Sequence, residues 1–399
     1  MSVHPDAMPS RHDHGAQGHQ VVAPGEIAVG VAIGRVSENF DFFVYGIASA
    51  LVFPTVFFPF VDGLTGALYS FAIFALAFIA RPFGTALSMK IQRRWSRGTK
   101  LTVALFLMGT TTAGIAFLPG YATIGTASIV LLAVFRVFQG LAFGGSWDGL
   151  PSLLALTAPK QRRGWYAMLG QLGAPVGFIV AAALFAFLIG SLSGKDFFDW
   201  GWRYPFYAAF AINVVALFAR LRLVVTHEYA RELGEHELEP VPLRELLEAK
   251  GRHVLIGAFA PLASYALFHI VTIFPLSWIL LYADQPVTSF LWVQVLGGFI
   301  AIGGVLASGV IADRFGRVPT LGGVALAVAM FSGFAPTLLG GGEMAQDMFI
   351  LVGFLLLGLS YGQASGALTR NFGSRYRYTG AALTTDFAWL IGAAFAPLV

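Results

Sequence analysis

The sequence predicts an all-α membrane protein, on three observations. Hydrophobic residues make up 57% of the 399 residues and charged residues only 12%, whereas a soluble domain carries about a quarter charged residues. The mean hydropathy is +0.73. Apolar stretches long enough to cross a bilayer as helices recur along the whole chain, and the short alternating segments typical of a membrane β-barrel are lacking.

The apolar stretches form two groups on either side of a polar segment, 227–252. Eleven stretches are predicted as spans, at 27–57, 66–89, 100–119, 126–151, 164–190, 203–225, 254–283, 289–312, 319–339, 347–368 and 379–399. We therefore predict an N-terminal helix bundle over 27–226, a cytoplasmic linker over 227–252 and a C-terminal bundle over 253–399. Residues 1–26 are polar and are predicted to form a disordered cytoplasmic tail.

Most Lys and Arg residues lie in the connections on one side of the predicted membrane. Twenty of the 25 Lys and Arg residues fall in the tail and in the even-numbered turns. Lys195 and Arg203 lie at the opposite ends of the spans, and Arg35, Arg81 and Arg136 lie within them. The positive-inside rule predicts a cytoplasmic N-terminus. Because the membrane topology accounts for the distribution of Lys and Arg, a nucleic-acid partner is not expected.

The sequence predicts no cofactor, no metal site and no enzymatic activity. It contains no cysteine, which excludes disulfides and thiolate metal sites. His12, Asp13 and His14 carry metal-binding side chains, but a solvated tail is the favoured interpretation. The segment 190–195 resembles a phosphate-binding loop, yet it is one residue too short.

The chain repeats itself with an offset of 220 residues. This offset places the segment 94–97 (Arg-Trp-Ser-Arg) on the segment 314–317 (Arg-Phe-Gly-Arg), and each lies between two apolar stretches. Such repeats predict two bundles that face each other, with a transport site near the midplane between them.

Six sequence blocks carry a family resemblance. They lie at 34–46, which includes Glu38-Asn39-Phe40-Asp41-Phe42, and at 78–84, 136–145, 162–166, 200–206 and 377–380. In sequence and order they resemble the major facilitator superfamily, and within it the metabolite:proton symporter family of dicarboxylate, citrate, shikimate and betaine or proline carriers.

The resemblance implies the major facilitator fold, with two pseudo-symmetric six-helix halves. It further implies a monomer in the bacterial inner membrane that couples uptake of a small polar metabolite, an organic acid, to protons by alternating access. The second group contains five predicted spans, whereas the first group contains six. We therefore expect about eleven transmembrane helices, with a truncated C-terminal bundle that lacks the twelfth.

The chain departs from the family pattern at the first turn between helices. Met89 and Arg93 stand where the family has Gly and Asp, and Ser96 replaces a Gly. The second half keeps these residues as Gly309, Asp313 and Gly316. Where relatives have a Glu in the fourth span this chain has Ser146, and Asp148 is a candidate for the missing acid.

The predicted proton-coupling residues are Asp41, Glu38 and Arg136. Gly34, Glu38, Asp41 and Tyr45 fall on one stripe of the first span. Asp41 and Arg136 both lie near the middle of their spans, where ionisable groups are costly and functional. We expect Asp41 or Glu38 to take up the proton while Arg136 pairs with it or with an anionic substrate; the alternative is a structural ion pair. Arg35 is interpreted as a cytoplasmic-side partner or snorkelling residue, with a role as a substrate ligand as the alternative.

Further candidates are divided into substrate-binding and gating residues. The substrate-binding candidates are Arg136, Tyr45, Gln171, Tyr265, His269, Gln294, Tyr361 and Gln363. The gating candidates are Arg94, Arg97, Asp148, Gly309, Asp313, Arg314, Gly316, Arg317 and Asp386. Asp386 is expected either to face the cavity or to pair with Arg370 or Arg375. For His269 and the other polar candidates, helix packing is the alternative role.

Two rival functions remain open at the level of sequence. One is a proton-coupled exporter of a metabolite or drug with the same fold. The other is a membrane sensor or partner-binding protein that does not transport, an alternative suggested by Arg93, Ser146 and the expected absence of the twelfth helix.

Overall fold

The computed structural model describes residues 24–147, 149, 154, 158–224, 231, 234, 239–369 and 372–398, which form helices and no strand. Their α-helices are α1 (Pro24–Leu51), α2 (Phe53–Phe57), α3 (Gly63–Arg94), α4 (Arg97–Phe117), α5 (Tyr121–Ile124), α6 (Thr126–Gly145), α7 (Arg163–Leu169), α8 (Gly173–Ser191), α9 (Gly194–Asp199), α10 (Tyr204–Val224), α11 (Leu243–Phe259), α12 (Leu262–Thr272), α13 (Phe274–Tyr282), α14 (Val287–Phe315), α15 (Arg317–Leu339), α16 (Glu343–Thr369) and α17 (Ser374–Gly392). Short 3₁₀ turns lie at Lys160–Arg162, Gly201–Arg203 and Ala396–Leu398.

Ten of the predicted spans contain a helical segment long and apolar enough to cross a bilayer. The segments are Gly63–Arg94, Arg97–Phe117, Thr126–Gly145, Arg163–Ser191, Gly201–Leu221, Leu262–Tyr282, Val287–Phe315, Arg317–Leu339, Glu343–Gly366 and Ser374–Leu398. The first predicted span is α1, which is 28 residues long but carries Arg35, Glu38 and Asp41. The predicted all-α membrane fold is confirmed.

The helices pair in the same way in the two halves of the chain. In the first half α3 packs along α6, and in the second half α14 packs along α16. The halves meet where α7 and α8 pack against α14, and where α3 packs against α17. The structure thus has the twofold organisation that the sequence repeat predicts.

The two repeated turns differ in backbone conformation. Gly316 has φ +90°, a left-handed value that favours glycine. Its counterpart Ser96 has φ −165° and ψ 167°, and its hydroxyl accepts a hydrogen bond of 3.0 Å from the Thr99 amide at the start of α4. Serine replaces glycine there because the turn is extended and the residue caps a helix.

Part of the predicted linker is helical. Helix α11 begins at Leu243 and continues past residue 252 to Phe259, with a non-helical residue at Lys250 (φ −139°, ψ 15°). Residues 24–26 of the predicted tail belong to α1. The rest of the tail, with His12, Asp13 and His14, lies outside the described residues, as do Asp148, Arg370 and most of the segment 225–238.

Glycines allow the paired helices to touch backbone to backbone. A Cβ atom on Gly140 of α6 would lie 2.7 Å from the Ala77 Cα of α3. A Cβ on Gly144 would meet the Arg81 carbonyl oxygen and the Thr85 amide nitrogen of α3. Gly358 of α16 contacts the backbone of α14 in the same way. Because these neighbours are main chain, they cannot yield by rotating a side chain.

We expect Gly144→Ala to destabilise the protein by about 1–3 kcal/mol, since the methyl group must force α3 and α6 apart. The measurement is thermal unfolding of the purified protein in detergent, followed by tryptophan fluorescence. Gly303→Ala is the matched control, because no atom lies within 4 Å of a Cβ at that helical position. Equal transition temperatures for the two variants would contradict the backbone contact.

Candidate functional site

A cavity lies between the two halves. It has a volume of about 60 Å³, enough for a few water molecules. Its lining is charged, polar and aromatic, and both halves contribute: Arg35, Glu38, Asn39, Phe42, Arg81, Phe143, Ser146, Trp147, Gly170 and Gln171 from the first, and Tyr265, Tyr361, Ser365, Ala381, Thr385 and Trp389 from the second. Of the predicted site residues, Glu38, Gln171, Tyr265 and Tyr361 line this cavity.

Glu38 is held between two guanidinium groups. Arg220 Nη1 of α10 donates a hydrogen bond of 2.6 Å to Glu38 Oε1, and Arg35 Nη1 donates one of 3.0 Å to Glu38 Oε2. Glu38 and Arg220 are buried, while 21% of the Arg35 side chain is exposed. Gly34 makes room for Arg220, because a Cβ there would lie 2.7 Å from Arg220 Nε. Arg136, which the sequence predicts to pair with Asp41 or Glu38, does not contact Glu38.

A second ion pair joins the two halves across the cavity. Arg81 Nε of α3 donates a hydrogen bond of 2.7 Å to Asp386 Oδ1 of α17. The Thr85 hydroxyl donates to Asp386 Oδ2. Arg375, one of the partners expected for Asp386, instead pairs with Glu245 at 2.6 Å. Asp386 therefore lies behind the cavity-lining Arg81 rather than at the end of its helix.

Arg136 is fully buried behind the cavity and is surrounded by aromatic rings. Its Cζ atom lies 3.8 Å from the Tyr45 ring centroid and 4.6 Å from that of Phe74. Its Nε donates a hydrogen bond of 3.2 Å to the Phe74 carbonyl oxygen. The Phe42 ring, which lines the cavity, lies 6.0 Å from Arg136 Cζ. The rings and the carbonyl stabilise the cation without a carboxylate.

A chain of hydrogen bonds connects Arg136 to Asp41. Arg136 Nη1 donates to Gln139 Oε1 at 3.1 Å, Gln139 Nε2 donates to Thr112 Oγ1 at 3.0 Å, and the Thr112 hydroxyl donates to Asp41 Oδ1 at 2.7 Å. Asp41 is 1% exposed and Arg136 is 0% exposed. Among the described residues, Asp41 Oδ2 and Arg136 Nη2 have no hydrogen-bond partner. Both predicted coupling residues face the bundle interior and are linked indirectly.

An aromatic layer separates the cavity from one end of the bundle. His269 stacks on Phe42 with ring centroids 5.4 Å apart, and Phe268 stacks on Phe43 at 5.3 Å. Neither ring nitrogen of His269 has a partner within the described part of the chain. Farther along, Gly46 of α1 lies directly against the side chain of Ile273. His269 and Tyr45 therefore lie outside the cavity lining, in this layer.

The opposite end, at which Arg94, Arg97, Arg314 and Arg317 lie, is called the basic end. Asp313 there accepts hydrogen bonds from the amides of Gly164 (2.6 Å) and Trp165 (3.1 Å), at the start of α7. A carboxylate is favourable at a helix N-terminus. These bonds join the second half to the first at the basic end.

Other predicted gating and binding residues strengthen the contacts at the basic end. Arg317 Nη1 donates to the Gly366 carbonyl at 2.7 Å, and Gln363 Nε2 donates to the Gly164 carbonyl at 3.1 Å. Gly309 packs against Met168 and Trp165. Arg97 pairs with Glu239 at 3.4 Å, and Arg94 and Arg314 lie over Trp95 and Phe315.

Gln294 serves the fold rather than the cavity. Its Nε2 donates hydrogen bonds to the carbonyls of Val271 (3.2 Å) and Thr272 (2.9 Å), where the helix breaks between α12 and α13. Arg35, Arg81 and Arg220 are not among the site residues predicted from the sequence. Arg35 and Arg81 were visible as charges within spans, whereas Arg220 lies near the end of its span and was counted with the loop charges.

Comparisons with known proteins agree with this architecture. A sequence model described as Major Facilitator Superfamily matches residues 42–397. The inner membrane metabolite transport protein YhjE of Escherichia coli (strain K12) is 34% identical over 97% of this chain and 89% of its own length. The shikimate transporter of the same organism is 31% identical over 93% of this chain and 86% of its own.

Solved structures show the same fold. A crystal structure of a D-xylose-proton symporter superimposes with a TM-score of 0.68, at 18% identity, over 93% of this chain and 88% of the other. The relatives are transporters rather than enzymes, as the sequence predicts. The chain therefore belongs to the Major Facilitator Superfamily and is a multi-pass membrane transporter of small molecules.

Proposed function

We propose that this transporter is a proton-coupled symporter that takes up a small organic acid by alternating access. It acts as a monomer in the bacterial inner membrane, with its N-terminus and its basic end in the cytoplasm. The observation that carries the proposal is a charged cavity between the halves, with a carboxyl group, Asp41, that forms no salt bridge with the described residues and is buried next to a cavity-lining residue, Phe42.

The cavity lining suits an anionic, partly apolar metabolite. Arg35 and Arg81 supply guanidinium groups, which bind carboxylates well. Tyr265 and Trp389, whose ring centroids are 4.5 Å apart, supply apolar surface beside them. One relative carries the name of a shikimate transporter, and shikimate is an organic acid with a polar ring. A cavity of about 60 Å³ must enlarge to admit such a molecule.

Asp41 is better placed than Glu38 to carry the proton. Glu38 is paired with two arginines at 3.0 Å or less, which stabilises the ionised form. Asp41 forms no salt bridge within the described residues; the Thr112 hydroxyl donates to its Oδ1, and the Asn213 side chain also interacts with it. Burying an unpaired carboxylate is costly, and protonation removes the charge. Oδ2 is free to hold the proton without disturbing the hydrogen-bond chain.

Arg136 connects the proton site to the cavity. It reaches Asp41 through Gln139 and Thr112, and it lies behind Phe42 and Tyr45. Movement of Phe42 as the cavity enlarges would bring Arg136, Tyr45 and His269 within reach of the substrate. In that state the substrate anion competes with Gln139 for the Arg136 guanidinium group, and this weakens the hydrogen-bond chain to Asp41.

Gating depends on the contacts at the basic end. Opening toward the cytoplasm must break the bonds of Asp313 to the start of α7, the bond between Gln363 and Gly164, and the Arg81–Asp386 pair. These bonds join the two halves, so they stabilise only the state in which this end is closed.

We expect Asp41→Asn to abolish proton-driven accumulation of the substrate, because the amide cannot gain or lose the coupled proton. The internal concentration should fall to the external one, while counterflow continues. The measurement is uptake into proteoliposomes with an imposed proton gradient, after a binding screen of shikimate, other organic acids, proline and betaine. Asp284→Asn is the control, since Asp284 is an exposed loop carboxylate. Full accumulation by Asp41→Asn would contradict the coupling scheme.

Asp313→Asn should favour the state open at the basic end, because the neutral amide is a weaker acceptor at the start of α7. The chain has no native cysteine, so Thr385→Cys in the cavity wall can serve as the single reporter. We expect an impermeant maleimide to label this cysteine about tenfold faster in inside-out vesicles when Asp313 is replaced. Asp347→Asn, which affects a contact within the second half (Gln285 to Asp347), should leave the rate unchanged. Equal rates for both variants would contradict the gating role.

A further inference from the structure

We infer that the cavity selects monocarboxylates and that Arg35 is the residue that binds the substrate carboxylate. The inference rests on the proposed function, since it specifies the organic acid that the transporter accepts. It follows from the pairing of the charged groups around the cavity.

The described charged groups of the cavity leave one positive charge. Three charged side chains line the cavity, Arg35, Glu38 and Arg81. Behind them, Arg220 pairs with Glu38 and Asp386 pairs with Arg81. In the cavity as the structure shows it, three guanidinium groups and two carboxylates leave a net charge of +1, and Arg136 and Asp41 lie behind the Phe42 ring and outside the lining. One carboxylate neutralises this charge, whereas a dicarboxylate would bury an excess negative charge, which is costly in an apolar bundle.

Arg35 is the guanidinium group best able to accept that carboxylate. Arg81 is held by the buried Asp386 at 2.7 Å, and Arg220 lies outside the cavity lining. Arg35 contacts Glu38 through Nη1, at 3.0 Å, and its side chain keeps some exposure in the cavity. If Arg35 turns to the substrate, Glu38 retains its shorter bond of 2.6 Å to Arg220. No carboxylate is left unpaired by the exchange.

The surroundings of Arg35 support binding of a flat or ring-shaped acid. A Cβ on Gly173 of α8 would lie 2.6 Å from the Arg35 carbonyl carbon, so α8 fixes the backbone of α1 at this residue. The Arg35 Cζ lies 5.9 Å from the Trp147 ring, and Arg81 Cζ lies 5.9 Å from the Trp389 ring. Two indole rings thus flank the cations, and apolar faces of a substrate can pack on them.

The test compares three probes on the purified full chain in detergent, by calorimetric titration. Shikimate represents a ring monocarboxylate, fumarate a dicarboxylate and glycine betaine a zwitterion without net charge. The wild type should bind shikimate more tightly than fumarate. Arg35→Gln should weaken shikimate binding about tenfold or more, because a charge-assisted hydrogen bond is lost. Arg35→Lys, which keeps the charge, should restore part of the affinity.

The control is Arg244→Gln, since Arg244 is exposed and pairs with Glu248 away from the cavity. It should bind shikimate as the wild type does. The thermal transition of each variant is measured first. If Arg35→Gln is unfolded, Arg35→Lys decides the test. Wild-type affinity of this conservative variant for all three probes would then overturn the assignment.

The outcomes separate this inference from the proposed function. If Arg35→Gln binds shikimate as tightly as the wild type, or if the wild type prefers fumarate, this inference is wrong and symport of organic acids still stands. If the wild type binds and transports shikimate without proton flux, the proposed coupling is wrong and the role of Arg35 stands. A wild type that binds only betaine overturns both.

Discussion

Pairing of charged side chains inside an apolar bundle is the constraint on which the rest of this structure depends. An ionised group within the bilayer is tolerated when another group of the protein compensates it. Glu38 lies between Arg35 and Arg220, and Asp386 is paired with Arg81. The Glu38–Arg220 pair joins α1 to α10 and the Arg81–Asp386 pair joins α3 to α17, so these two pairs fix which helices surround the cavity. Arg136 is the exception: rings and a backbone carbonyl stabilise it, and Gln139 and Thr112 separate it from Asp41, which forms no direct ion pair among the described residues.

Features that depend on local sequence could be predicted from the chain alone. A transmembrane helix satisfies its own backbone hydrogen bonds, so length and hydropathy are sufficient to locate the spans. The repeat of the segment 94–97 at 314–317 indicated two equivalent halves, and the matching α3–α6 and α14–α16 pairs confirm this. The periodicity of α1 also placed Glu38 and Asp41 on an inward face, where both are buried.

The choice of partners could not be predicted, because it depends on residues far apart in the chain. Glu38 and Arg220 are separated by 182 residues, and Arg81 and Asp386 by 305. Helical periodicity gives the face of a side chain, but not the neighbour that the opposing helix presents. Position within a span also says nothing about shielding: Arg136 lies at mid-span as expected, yet the Tyr45 and Phe74 rings cover it. Ser96 shows the same limit at a turn, since only the backbone angles explain why no glycine is needed.

The backbone contact between α3 and α6 has a mechanical consequence. With Gly140 and Gly144 pressed against main-chain atoms, neither helix can slide or bend without the other. The main chain of Arg81, whose carbonyl is one of those atoms, therefore moves together with both helices. Helix α6 ends at Gly145, beside Ser88, whereas α3 continues to Arg94. A tilt of the pair produced by a ligand beside Arg81 thus also displaces the unaccompanied last turns of α3, which carry Arg93 and Arg94.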